Sequence, residues 1–551
     1  MNLRRASFLL ISFTFLIFLL GIRIFYLQIY AGKKLSLSAS AQRISEKGID
    51  IPRGNILDRN LIPLTNRTEE IFVVIKPLLL RGKDTDIANI AQILELNASK
   101  LKREIEFNKT PIILSCSEYQ KDSLSKLKIQ GISFIHSLKR YSEESVAKHV
   151  TGYINKIDNT GKTGIEKYFQ DTLKLSSKNS IGVVTDAKNN LVAGLGYRFI
   201  EPEESNQLNV KLTIDYHIQK IAENVLEKSG LKGSVVIEDV VTGDIVAMVS
   251  KPDFDPNNIE KYLDSPDKEL FNRSVASYNL GSIFKIIVLA SAYENGINPN
   301  MEYYCPGYIT LGDKVFKCSS FEKGGHGFIN LEEAFASSCN PYFIELGIKT
   351  GHINIINTAK KFGLGCPTGI HEHGVEESSG HLPDISKFFT HGDIANISIG
   401  QGDILATPLQ VADMVATIAN GGIKNKINIV DSIIDSSDNT LKVLKSNQGE
   451  RIISKEICDK IKHLMEKVTI SGTGVKANLD EYGGAAAKTG SAETGQYING
   501  EKIVHAWFAG YFPRLNPKYS VAVFIENGKS GGSVAAPIFE EIARDILNKG
   551  L

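Results

Sequence analysis

Residues 8–22 form a run of fifteen without a single charge, and no other stretch constrains the chain as strongly. Arg4 and Arg5 precede the run, Arg23 interrupts it, and Ile24-Phe25-Tyr26-Leu27-Gln28-Ile29-Tyr30 extends its apolar character. A membrane helix needs about 20 predominantly apolar residues; an arginine near its end can snorkel, and tyrosines suit the interface. The rival is a cleaved leader cut at the small residues Ala39-Ser40-Ala41. That triplet lies beyond Arg23, Lys33 and Lys34, too far from the apolar stretch for ordinary cleavage. We therefore read residues 1–30 as a cytoplasmic N-terminus and a single-pass anchor in the cell membrane. Arg4 and Arg5 hold the N-terminus inside, so the bulk of the chain is expected outside the cytoplasm.

The 551 residues are too many for one ordinary domain. With 42% hydrophobic and 23% charged residues the composition is globular, and 63 basic against 62 acidic residues leave nothing that draws the whole protein to nucleic acid. Residues 31–205 are polar, with strand-like runs such as Ile71-Phe72-Val73-Val74-Ile75 and a helical pattern over 86–96. Two glycine corners stand out there: Arg53-Gly54-Asn55-Ile56-Leu57-Asp58-Arg59-Asn60, and Gly161-Lys162-Thr163-Gly164-Ile165-Glu166. Neither holds a nucleophile with a base, and both read as structural.

A second domain is expected over 206–551. Residues 209–214 alternate as a strand, and Asp215 then caps a helix with Ile218, Ile221, Ala222, Val225 and Leu226 on one stripe. Residues 234–238 and 244–249 read as a hairpin around Val241-Thr242-Gly243, followed by a largely helical stretch to about 470. Asn499-Gly500 is a hairpin turn between strands, and the chain ends on an amphipathic helix carrying Ile538, Phe539, Ile542, Ile546 and Leu547. Strands at both ends with helices inserted between them imply an α+β layered fold with an antiparallel sheet.

Gly281-Ser282-Ile283-Phe284-Lys285 opens the apolar run Ile286-Ile287-Val288-Leu289-Ala290. At helical spacing Ser282 and Lys285 lie one turn apart on one face. A desolvated lysine loses its proton more readily and can then take one from a serine hydroxyl. Alone, the four residues read first as a capped helix with a surface lysine. Two further motifs follow in order. Ser338-Cys339-Asn340 lies 56 residues after Ser282, and Lys488-Thr489-Gly490-Ser491 begins 150 residues after Ser338.

This ordered set resembles the S-x-x-K, S-x-N and K-T-G motifs of the penicillin-interacting serine acyltransferases. The flanks agree: Asn272-Arg273, Asn340-Pro341, Thr407-Pro408-Leu409-Gln410, and the two glycine corners upstream. The chain looks like a class B penicillin-binding protein, a monofunctional peptidoglycan D,D-transpeptidase. The resemblance implies a β-lactamase-like transpeptidase domain over 206–551, preceded by a pedestal or dimerisation-type domain over 31–205. It implies Ser282 as the nucleophile on D-Ala-D-Ala stem peptides, with Lys285 as base, Ser338 as proton relay, Asn340 on the substrate amide and Lys488 keeping the site positive. Thr489 would receive the terminal carboxylate, Gly490 the substrate backbone, and the N–H groups of Ser282 and Ser491 the oxyanion. β-Lactams would acylate the same serine, and the chemistry requires no cofactor.

A glycan-polymerising membrane partner is implied, because residues 31–205 are too short for a glycosyltransferase domain. Septal, elongation and sporulation roles stay open. The rivals are a D,D-carboxypeptidase or β-lactamase-type hydrolase and a non-catalytic β-lactam-binding scaffold. Three departures from the family pattern stand out. Leu280-Gly281-Ser282-Ile283 replaces the frequent Pro-Gly-Ser-Thr, Leu61 replaces the usual glycine after Asp58-Arg59-Asn60, and Ile370-His371-Glu372-His373-Gly374 is rich in histidine and reads as a surface loop.

Cys305, Cys318, His326 and Cys339 fall within 35 residues. Three thiolates and an imidazole suit a tetrahedral structural zinc, but the spacing is no compact knuckle. A Cys305–Cys318 disulfide and plain buried thiols are the alternatives.

Overall fold

The computed structural model describes residues 3–31, 44–50, 53–155, 158–174, 179–184, 197–200, 207–387, 389–498 and 500–551. Ala39, Ser40, Ala41 and Asn499 lie outside the described residues. Leu3–Phe25 is one α-helix, continued by a π-turn over Tyr26–Tyr30. Its apolar side chains are bare, with Phe8 and Leu10 each 72% exposed. Ser7–Ile29 is long and apolar enough to cross a membrane by length and composition.

The chain divides into two compact units, one of 1–53, 68–139 and 175–205, the other of 54–67, 140–174 and 206–551. The first holds a three-stranded antiparallel sheet in the order Ile112–Cys116, Thr68–Ile75, Ile132–Lys139. Val73, Ile75, Leu80, Ile90 and Ile105 close its core from the sheet and the helices Pro77–Leu80, Asp84–Ile93 and Ala98–Phe107. Residues 44–50 pair with 179–184, which pair with 197–200.

Residues 54–67 and 140–174, read from the sequence as part of the N-terminal domain, pack with the second unit. A buried ion pair joins these two segments to each other. Glu166 is 0% exposed and accepts from Arg140 Nε at 2.7 Å and from the Tyr141 hydroxyl at 2.9 Å, while Arg140 Nη1 donates to the Gly54 carbonyl at 2.7 Å. Asp58 closes the other corner, accepting from the N–H groups of Asn60 and Ile62 at 2.7 Å each and of Tyr216 at 3.0 Å. Leu61 sits in that corner at φ +66°, the left-handed region that favours glycine, which accounts for the glycine of the family pattern.

The core of the second unit is a five-stranded antiparallel sheet of β1 (Gly233–Asp239), β2 (Ile245–Lys251), β3 (Ala486–Ile498), β4 (Glu501–Phe512) and β5 (Tyr519–Ile525). The strand order is β2-β1-β5-β4-β3, so β3 is an edge strand. On one side lie α1 (Tyr216–Lys228), capped by Asp215 as its side chain accepts from His217 and Ile218 N–H, and the C-terminal helix Ala536–Asn548. The other side carries the large core around the helix Lys285–Glu294, whose first eight residues are all buried. Each fully buried Ile, Val or Leu there contributes about 1.5–3 kcal/mol.

The stretch from 286 to 470 is less helical than its sequence suggests. Between Tyr303 and Ile329 it forms two small antiparallel pairs, Tyr303–Cys305 with Gly327–Ile329 and Tyr308–Leu311 with Lys314–Lys317. These strands are three or four residues long, too short for a period of two to show against flanking helices.

Candidate active site

Ser282 stands on a 3-10 turn, Gly281–Phe284, that runs directly into the helix Lys285–Glu294. Gly281 has φ +54°, and a Cβ there would lie 2.6 Å from the Ser491 carbonyl oxygen. The turn therefore presses against β3, and only glycine fits. Ser282 is partly exposed and its hydroxyl makes no hydrogen bond among the described residues. Lys285 is 0% exposed. Its Nζ donates to the Ser338 carbonyl at 2.8 Å, to Asn340 Oδ1 at 2.8 Å and to Ser338 Oγ at 3.2 Å. No carboxylate faces it, and burial brings its pKa down to about 8.

Ser338 lies in the short link between Leu331–Ala336 and Asn340–Thr350, and Asn340 opens the second of these helices. Ser338 takes φ +59°, a strained position for a residue with a side chain. This turn aims both its carbonyl and its hydroxyl at Lys285. Asn340 Nδ2 donates to the Lys317 carbonyl at 3.0 Å, which orients the amide so that its oxygen faces Lys285.

Lys488, Thr489, Gly490 and Ser491 lie on the edge strand β3, where Gly490 has space for no Cβ: one would come 2.9 Å from the Leu280 carbonyl oxygen. Lys488 is 0% exposed, and its Nζ donates to Ser338 Oγ at 3.0 Å and to the Thr489 carbonyl at 3.2 Å. Burial, and then the neighbouring charge of Lys285, lowers its pKa well below that of free lysine. Two lysines thus converge on one serine hydroxyl. The Thr489 hydroxyl lies 2.6 Å from that of Thr473, which sequence reasoning missed. Thr473 also donates its N–H to the Ala336 carbonyl at 3.0 Å, tying the second motif to the third. Its only signal in the sequence is a threonine between glycines, Gly472-Thr473-Gly474.

The ligand atoms of Cys305, Cys318, His326 and Cys339 all lie within 4.8 Å of one another. Cys318 Sγ is 3.9 Å from Cys339 Sγ and 3.6 Å from His326 Nδ1. Zinc at about 2.3 Å from sulfur and about 2.0 Å from nitrogen sets tetrahedral edges of about 3.8 Å and 3.6 Å, which these two separations match, and three thiols with an imidazole are donor types a structural zinc takes. All six cysteines are free thiols, and the Cys305–Cys318 disulfide is not formed. The histidine-rich turn Ile370–His373 is held to the protein by Glu377, which takes His371 Nδ1 at 2.9 Å and the Thr368 N–H and hydroxyl at 2.8 Å each.

Residues 233–544 match the penicillin binding protein transpeptidase domain, and residues 49–209 match the penicillin-binding protein dimerisation domain. Stage V sporulation protein D of Bacillus subtilis is 30% identical over 570 residues, covering 99% of this chain and 85% of that protein. The peptidoglycan D,D-transpeptidase MrdA of Acinetobacter baumannii is 29% identical over 583 residues, covering 95% and 84%. A chain of a solved peptidoglycan synthase complex, described for its coordination of polymerization and crosslinking, superimposes with a TM-score of 0.73. It is 25% identical and the match covers 99% of this chain and 98% of that one. The Helicobacter pylori penicillin-binding protein PBP2, solved in complex with MreC, shares the fold at a TM-score of 0.67 and 24% identity, covering 92% and 99%. With more than half its length in the transpeptidase domain, on the strands and helices that bring the three motifs together, the chain belongs to the class B penicillin-binding proteins.

Proposed function

We propose that this chain cross-links peptidoglycan stem peptides as a membrane-anchored serine D,D-transpeptidase, through an acyl-enzyme on Ser282. The observation that carries the reading is the convergence of Lys285 and Lys488 on Ser338 Oγ, one helical turn from an unengaged serine. Neutral Lys285 has two N–H donors and one lone pair. The carbonyls of Ser338 and Asn340, which can only accept, take the two donors, so the lone pair is on the side of Ser338 Oγ, its third contact, and is the acceptor for the Ser282 proton.

Ser282 Oγ attacks the carbonyl between the two terminal D-alanines, and Lys285 takes its proton. N–H groups of Ser282 and Ser491 receive the oxyanion, each such donor contributing about 3 kcal/mol to the transition state. The C–N bond then breaks, and the departing D-alanine amine gains its proton through Ser338, which exchanges it with Lys285 and Lys488. The amine of a second stem peptide attacks the ester, loses a proton by the reverse route and frees Ser282. Lys488 and Thr489 take the substrate carboxylate, Asn340 its amide, and Gly490 lets its backbone lie against β3. A β-lactam carries the same carboxylate and acylates the same serine.

Cys305, Cys318, His326 and Cys339 would hold a structural zinc, which braces the turn carrying Ser338 and Asn340 and takes no part in bond-making. Residues 1–30 anchor the chain, residues 31–205 serve as a pedestal, and residues 206–551 carry catalysis outside the cytoplasm. A membrane glycan polymerase supplies the strands. Labelled penicillin tests the reading. A long-lived adduct is expected on the wild type and none on a folded Ser282→Ala variant; rapid turnover instead would make the protein a hydrolase, and no adduct would leave a scaffold.

A further inference from the structure

We propose that Asn279 is a positioning residue that sets the attack geometry of Ser282; this rests on Ser282 being the nucleophile. Asn279 is three residues before Ser282, a span of at most about 10 Å of chain. It is tied down from two directions at once. Its side-chain amide spends both hydrogens on one loop, donating to the Gly402 carbonyl at 2.8 Å and the Ile404 carbonyl at 3.1 Å. From the sheet, the indole N–H of Trp507 on β4 donates to the Asn279 carbonyl at 2.9 Å. Trp507 is the only tryptophan of the chain and is 0% exposed.

The surroundings make this knot rigid. Tyr278 and Asn279 pair with Ala406 and Leu405. The Tyr278 ring stacks on Phe524 of β5 with centroids 3.9 Å apart. Two residues on, the Gly281 N–H donates to the Gly400 carbonyl at 2.9 Å, and Gly400 itself packs so closely that a Cβ would lie 2.0 Å from the Gly281 carbonyl oxygen. The same loop is therefore gripped at Asn279 and again at Gly281, with one residue between.

That one residue is Leu280, at φ −83° and ψ −27°. A leucine leaves φ free, whereas the proline frequent at this place in the family pattern would lock it. In this chain the anchoring falls to the Asn279 amide. Lys285 is held by Ser338 and Asn340 and none of its bonds reaches Asn279, so loosening Asn279 moves the nucleophile and leaves its base in place. A misplacement of about 1 Å is enough to cost about a hundredfold in rate.

The test separates noncovalent affinity from the acylation rate, by rapid-mixing with a fluorescent penicillin on the full chain in detergent. Asn279→Ala removes the amide; Asn279→Asp keeps its volume and loses both donors; Trp507→Phe removes the indole N–H. For both Asn279 variants the acylation rate constant is expected to fall about tenfold to a hundredfold, with Kd of the initial complex within about twofold and full labelling reached at long times. Trp507→Phe is expected to show the same split with a smaller loss. Acylation at the wild-type rate in Asn279→Asp would mean that only volume matters and overturns the proposal. So does a loss confined to the fraction of protein that labels, which marks misfolding rather than misplacement. If the Asn279 variants fail to fold, an unchanged rate in Trp507→Phe overturns it equally. Absence of a Ser282 adduct in the wild type would instead sink the nucleophile assignment itself, so the two failures are distinguishable.

Discussion

Replacing Asn340 by aspartate puts a negative oxygen where a neutral one now lies 2.8 Å from Lys285 Nζ. The side chains have nearly the same shape; the change adds a charge and removes the Nδ2 donor to the Lys317 carbonyl. In the native site burial holds the lysine at about 8, which leaves about a tenth of it neutral at pH 7. Coulomb's law at an effective dielectric constant near 20 gives about 6 kcal/mol of attraction at 2.8 Å. The cost of burying the new carboxylate offsets part of this, and an opposite charge at such range moves a pKa by about one to three pH units. The sign is upward, because the carboxylate favours the ammonium. The neutral base at pH 7 then falls about tenfold to a thousandfold, and acylation with it. The assay is the acylation rate constant for a labelled penicillin from pH 6 to 10. The wild type should rise through an inflection near 8, whereas Asn340→Asp should rise later and recover in alkali. An inflection that stays put in Asn340→Asp, with Ser282 still labelled, would refute Lys285 as the base.

Three further outcomes are expected. Purified protein should carry about one zinc per chain by metal analysis, and Cys318→Ser should lose most of it; a wild type without stoichiometric metal ends the zinc proposal. Glu166→Gln removes the negative charge from the buried pair with Arg140 and should lower stability in denaturant titrations by up to about 3–5 kcal/mol, the range for breaking a buried pair. A change within experimental error would show that water replaces the carboxylate. Gly281→Ala combines the left-handed penalty of about 1–2 kcal/mol with a Cβ 2.6 Å from the Ser491 oxygen. It should cut acylation by at least about a hundredfold in a folded protein, and near-native acylation would mean that the turn and β3 can separate freely.

Much of the site was legible before the fold. Ser282 and Lys285 are bound to adjacent turns by their spacing, and the cap at Asp215 announces the helix that follows. The hairpin of β1 and β2 and the stripe of the C-terminal helix read directly from periods of 2 and 3.6. The Cys/His group could be nominated from residue type, but its spacing left a disulfide and plain thiols as alternatives, and that the four ligand atoms lie within 4.8 Å of one another is visible only in the fold. Thr473 escaped because a threonine between glycines announces nothing until it meets Thr489.

By itself the sequence determined what neighbours along the chain dictate: an apolar N-terminal helix, the strands and caps, and the order of three motifs whose chemistry is written in their side chains. The tertiary structure decided which of those side chains meet. Lys285 bonds Ser338 and Asn340, 53 and 55 residues away, and leaves Ser282 free. Arg140 and Glu166 close residues 140–174 on themselves through a charge pair that no periodicity records, Arg140 reaches Gly54, and Asp58 takes the Tyr216 N–H of the catalytic unit. Backbone geometry repeats every two or four residues and so leaves a trace in one dimension. Packing between distant segments depends on which surfaces exclude water together, and that is settled only when the chain closes on itself.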